Sequence, residues 1–183
     1  MFSKSIEEKG ERIKNGTYVP LLSGALFSVG YTLAVCALGI ALPYVYLKNV
    51  TVFELMIVPV TFILANFLEY AVHRWPMHHA YRRFEILQVL HMHHHHYFAL
   101  NQYRLRGVRD MDMVVFPPLV LTVIALGPVC IGGILIGIIW SMNAALLWCM
   151  TVFLYYLVMQ VIHVMCHVEE HHPLLRLPML QYL

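Results

Sequence analysis

From residue 114 to residue 164 the chain contains no Asp, Glu, Lys or Arg. A helix crossing the hydrocarbon core of a bilayer needs about 20 apolar residues, so this stretch is too long for one crossing and suited to two. Helix-breaking and polar residues gather inside it, as Gly127-Pro128, Gly132-Gly133, Gly137 and Ser141-Met142-Asn143. A break is therefore expected between Gly127 and Asn143, nearer to Asn143. Two more spans are expected upstream. Residues 20–46 open on Pro20, which suits a first helical turn, and contain Pro43, expected to kink or end the helix. Residues 52–72 carry Glu54, Pro59 and Glu69; a proline is tolerated in a membrane helix where neighbours satisfy the freed backbone groups.

Composition agrees. Hydrophobic residues make up 60% of the chain and charged ones 12%, with a mean hydropathy of +0.68. A soluble domain is about half apolar and about a quarter charged. Disorder, a fibre and a disulfide scaffold are excluded, and a soluble globular domain is disfavoured. Cys36, Cys130, Cys149 and Cys166 lack paired spacing and are read as small packing residues. The polar, mixed-charge stretch MFSKSIEEKGERIKNGTY opens the chain. No small-residue cleavage pattern follows the first apolar stretch, so no cleavable signal peptide is expected. The expected fold is all-α and integral to a membrane: four transmembrane helices in two hairpins, with a cytosolic histidine-rich helical cap. The whole chain is read as a single membrane domain, with 1–19 as a cytosolic tail.

Charge asymmetry orients this arrangement, because Lys and Arg collect on the cytoplasmic side. Lys4, Lys9, Arg12 and Lys14 precede the first span, Arg74, Arg82, Arg83, Arg104, Arg106 and Arg109 lie in 73–113, and Arg176 lies near the end. Lys48 alone falls on the opposite side. The same orientation gathers all 12 histidines on the cytoplasmic side, at 73, 78 and 79, at 91 and 93–96, and at 163, 167, 171 and 172. The net charge of +2 does not point to nucleic acid.

The histidine spacing is the candidate site. His73 and His78 are five apart, about 140° around an ideal helix, so an undistorted helix would not put them on one face. Trp75-Pro76 lies between them and must distort the helix, which can turn both rings inward. His91, His94 and His95 stand at i, i+3 and i+4, and His163 and His167 at i and i+4; each set shares a helical face. His171 continues the last stripe. A single histidine at a membrane interface is usually a satisfied polar residue, but polar groups near the membrane are expensive and generally functional. Three clusters at ligand spacing point to a metal site.

All-imidazole sites suit iron, copper, zinc or nickel. A structural zinc takes four ligands and favours cysteine, leaving several histidines unused, so the count favours two metals. A dinuclear iron site of neutral imidazoles would be strongly cationic and suited to activating dioxygen beside a lipid.

The clusters, their order and their placement resemble the fatty acid hydroxylase/sterol desaturase superfamily of membrane histidine-box di-iron enzymes. The resemblance covers 67–183 and rests on His73-x4-His78, His91-x2-His94-His95 and His163-x3-His167. It implies two non-heme iron ions held by His73, His78, His91, His94, His95, His163 and His167. It also implies dioxygen as co-substrate and electrons from a cytochrome b5 or ferredoxin-type partner. The reaction would be hydroxylation or desaturation of a fatty acyl, sphingolipid, sterol or carotenoid-like lipid. The membrane would be the inner membrane in a bacterium or the endoplasmic reticulum in a eukaryote. His93 or His96 can replace a neighbour in the second box.

The family also carries a His-x-x-His-His box shortly after its His-x3-His pair. Here HHPLLRLPMLQYL follows that pair and the sequence stops at Leu183. The expectation is a chain cut before that box and inactive in this form, or one in which His171-His172 takes its place. Glu69, one turn before His73, is the first candidate to orient an imidazole; Asn101, Asp110, Asp112, Glu169 and Glu170 are others. Phe67, Phe116, Trp148, Tyr155 and Tyr156 are read as lining a lipid path or packing the core. The alternative function is a non-catalytic membrane metal-binding protein, a transporter or a sensor. Transporters usually hold their ligands near the bilayer midplane, whereas these histidines fall at span ends.

Overall fold

A computed structural model of the chain describes residues 22–78 and 108–167, together with positions 8, 11–12, 88, 91 and 105. No strand occurs among the described residues. Four helical segments are long and apolar enough to cross a membrane: Gly24–Tyr46, Val52–Met77, Pro118–Ile139 and Met142–Cys166. The protein has an all-α integral membrane fold. The long apolar stretch breaks at residues 140 and 141, close to Asn143 as expected. The glycines from 127 to 137 lie inside the third span. Pro43 does not end the first helix, which runs on to Tyr46, and the second span continues past 72 to Met77.

The boundaries follow from local chemistry. Beyond Tyr46 the chain reverses through Asn49, whose φ of 47° is a left-handed conformation that asparagine tolerates better than most residues. Thr51 then caps the second span: its hydroxyl accepts from the Glu54 N–H at 3.3 Å, and the Thr51 N–H donates to Glu54 Oε2 at 2.7 Å. This reciprocal pair satisfies N–H groups that a helix start leaves without partners. Pro59 lacks the N–H that would bond to the Leu55 carbonyl, and regular helix is interrupted at Met56 between Val52–Leu55 and Ile57–Val72. The fourth span starts on Ser141, whose hydroxyl accepts from the Ala144 N–H at 3.1 Å and donates to Glu54 Oε1 at 2.6 Å. Asn143 donates to the Lys48 carbonyl at 2.7 Å and accepts from the Lys48 N–H at 3.2 Å. Buried Glu54 and half-buried Asn143 thus tie the loop between spans one and two to the start of span four.

The chain divides into two compact units. One comprises Phe27–Leu68 and Phe116–Val161. Its core is Cys36, Leu121, Val129, Val152, Phe153 and Tyr156. Gly39 lets the first span approach the fourth, since the Phe153 ring occupies the space that a Cβ there would need. Gly132 does the same for Trp148, whose indole N–H donates to the Pro128 carbonyl at 3.0 Å. Polar side chains inside the spans mostly bond to their own helix: Thr61 to the Ile57 carbonyl, Asn66 to that of Phe62, Thr122 to that of Pro118 and Thr151 to that of Leu147. Outward faces are apolar and open, as at Phe53, Ile63, Ile138 and Ile139. Such a surface is rare on soluble monomers and matches contact with acyl chains. Among the cysteines only Cys36 is buried; Cys130 and Cys166 are exposed.

The other unit comprises Met1–Leu26, Glu69–Val115 and Ile162–Leu183. Among its described residues, a 3₁₀ turn at Val108–Asp110 leads into the short helix Met111–Val114. Val114 and Val115 are buried. The Leu105 N–H donates to the His167 carbonyl at 2.8 Å, which pins this segment to the residue just beyond the fourth span.

Candidate metal centre

Pro76 shapes the first part of the site. It has no N–H to give to the preceding turn, and its ring crowds the Val72 carbonyl. The helix responds by widening: His73–Met77 forms a π-helical turn. Widening from the usual 3.6 residues per turn brings residues five apart closer to alignment. His73 Nε2 and His78 Nε2 accordingly lie 3.2 Å apart, with ring centroids at 4.9 Å. An ideal helix would have placed these rings on different faces.

His91 completes a triad. Its ring centroid is 4.7 Å from that of His73 and 5.0 Å from that of His78. One ring nitrogen from each of the three lies within 4.8 Å of the others. His73 and His78 are exposed, whereas His91 is 6% exposed, so the cluster has one buried wall and one open side. Three protonated rings at these distances would repel one another. Three neutral rings can offer lone pairs to one cation.

The donor set fits a metal. Nitrogens about 2.1 Å from a common ion lie about 3.0 Å apart at a right angle and about 3.4 Å apart at the tetrahedral angle, and the 3.2 Å between His73 and His78 falls between the two. Imidazole without thiolate or carboxylate suits iron, copper, zinc or nickel.

His163 and His167 form a second group, with ring centroids 5.3 Å apart, as their i, i+4 spacing requires. His163 and His73 are close enough for their charges to interact. Glu69, one turn before His73, likewise acts on the His73 ring through its charge. Arg74 points elsewhere: its guanidinium donates to the Tyr70 hydroxyl at 2.9 Å and lies 5.8 Å from that ring's centroid. His94 and His95 lie outside the described residues, as do His79, His93, His96, Asn101, Glu169, Glu170, His171 and His172; of Asp112 only the backbone is described. Asp110 sits at the end of the 3₁₀ turn, without a side-chain cap bond to the next helix.

The aromatic residues divide. Tyr156 is in the core, and Trp148 packs against it. Tyr155 meets Phe62 edge-on at 5.4 Å, and Phe67 faces outward. Nothing in the residue spacing foretells the link from Leu105 to His167, because a backbone bond over that separation depends only on where the chain returns.

The fold and the cluster define a four-span, all-α membrane protein with a histidine triad. No protein-family model, curated protein or solved structure matches the chain.

Proposed function

We propose that the protein is a membrane di-iron oxygenase that hydroxylates or desaturates a lipid, using dioxygen and electrons from a cytochrome b5 or ferredoxin-type partner. The observation that carries this reading is the His73–His78–His91 triad, drawn together across a π-helical turn at the end of an apolar span. His73, His78 and His91 would hold one iron. His163 and His167, with His94 and His95, would supply ligands to a second. Bound iron would supply dioxygen activation and C–H oxidation. Glu69 would orient the His73 ring and raise its basicity as a ligand. Burial of His91 would shield one side of the centre from water, while the exposed sides of His73 and His78 leave access for a substrate. The apolar spans would admit the acyl or sterol chain.

A non-catalytic metal-binding protein is the second reading, favoured by one specific fact: the described triad by itself makes a mononuclear site. Metal analysis of the full-length protein, with dioxygen consumption in the presence of a lipid extract and a reductant system, separates the two. About two irons per chain with lipid-dependent dioxygen uptake are expected. One zinc or copper per chain without uptake would overturn the oxygenase reading.

The histidines are proposed to face the cytoplasm, on the strength of the Lys and Arg asymmetry. Asn49→Cys and Gln102→Cys should therefore react with an impermeant maleimide from opposite sides of the membrane. Labelling of both from one side would refute the topology.

A further inference from the structure

We infer that Thr32, Tyr156 and Gln160 form a hydroxyl-binding subsite inside the membrane bundle. All three belong to the unit built from Phe27–Leu68 and Phe116–Val161. Thr32 is 4% exposed, Tyr156 2% and Gln160 4%. The Thr32 hydroxyl, the Tyr156 hydroxyl and both polar atoms of the Gln160 amide have no hydrogen-bond partner among the described residues. This contrasts with Thr61, Thr122 and Thr151, whose hydroxyls all bond to a carbonyl one turn back. A membrane core offers no bulk water to satisfy such groups.

Helix register brings the three together. The first and fourth spans pack with Gly39 against Phe153, and one turn further along Cys36 interacts with Tyr156 in the same buried cluster. Moving down the first span thus means moving up the fourth, so the two run antiparallel. The next turn brings Thr32 level with Gln160. Tyr156 and Gln160 are themselves i, i+4 neighbours on one face. The unsatisfied atoms therefore fall on two successive turns of one interface.

The chemistry defines the ligand. Two hydroxyls and a primary amide are neutral, and each both donates and accepts. The residues clustered with Tyr156, among them Cys36, Leu121, Val152 and Phe153, carry no charge to pair with an ionic headgroup. A neutral group that also donates and accepts is the complement, and a hydroxyl meets that description. It can come from a lipid alcohol or from water. This subsite does not depend on the metal reading, and its test needs no metal.

The test is thermal unfolding of the full chain in detergent micelles, followed by tryptophan fluorescence, with hexadecanol or hexadecane added. Wild type is compared with Tyr156→Phe/Gln160→Met and, as an isosteric control that keeps the bundle, with Thr32→Val. A lipid hydroxyl in the subsite gives wild type a hexadecanol-specific rise of about 3 °C or more, absent with hexadecane and lost in both variants. Bound water gives no alcohol-specific rise but makes both variants melt lower than wild type, and supports the subsite with water as its occupant. Variants that melt at or above the wild-type temperature, without any alcohol-specific rise, would mean that the three groups bind nothing, and the inference falls.

Discussion

Replacing Pro76 by alanine is expected to weaken metal binding about tenfold or more although it removes no ligand, and His91→Ala should weaken it about a hundredfold. The second figure follows from comparison: losing even an outer partner of a metal ligand costs about 10–100-fold in affinity, and His91 would be a ligand itself. The first follows from backbone geometry. With an N–H restored at position 76 and the ring gone, the π-helical turn at His73–Met77 can relax to ordinary α-helix. His73 and His78 would then sit about 140° apart and lose their 3.2 Å approach. Anaerobic titration with ferrous iron, and separately with zinc, measures both. Tyr70→Phe is the control, because Tyr70 bonds to Arg74 and not to the triad. Unchanged affinity in Pro76→Ala would mean that the wide turn is not what assembles the site. Unchanged affinity in His91→Ala would remove the triad from any metal role.

The second large effect is expected at Gly39. A leucine there has to enter space held by the Phe153 ring, inside the buried cluster that joins the first and fourth spans. Overpacking of a well-filled core typically costs about 1–3 kcal/mol. Gly39→Leu should reach the top of that range, because both helix backbones would have to separate. Thermal unfolding in micelles should show a clearly lower melting temperature. The double variant Gly39→Leu/Phe153→Ala should recover part of the loss, since the new side chain then fills the space the ring vacates. A melt unchanged from wild type in the single variant would show that these spans do not pack closely through Gly39.

Both predictions mark how far the amino-acid order carries. Four membrane spans are legible because an apolar run without Asp, Glu, Lys or Arg from 114 to 164 admits few alternatives in water or lipid. The break near Asn143 is legible because Ser141 can cap a helix start and the glycines further back need not end one. Gly132 and Gly133 look like breakers from composition, yet they lie in continuous helix and serve close packing against Trp148 and Cys149. Sequence alone cannot separate those roles, since a glycine's effect depends on what approaches it from elsewhere in the chain. Pro43 makes the same point: it lies inside the first helix, which runs on for three residues before it ends.

The candidate site divides along a similar line. The amino-acid order determined which imidazoles can share a face, because i, i+4 spacing is a property of one helix; His163 and His167 needed nothing more. It also located a distortion at Trp75-Pro76. Only the tertiary structure decided that the distortion is a widened turn bringing two rings to 3.2 Å, and that a buried His91 joins them from another segment. Only the tertiary structure likewise left Thr32, Tyr156 and Gln160 buried without partners among the described residues. Local spacing is encoded along a single helix axis, whereas convergence and burial depend on side chains that arrive from distant parts of the chain.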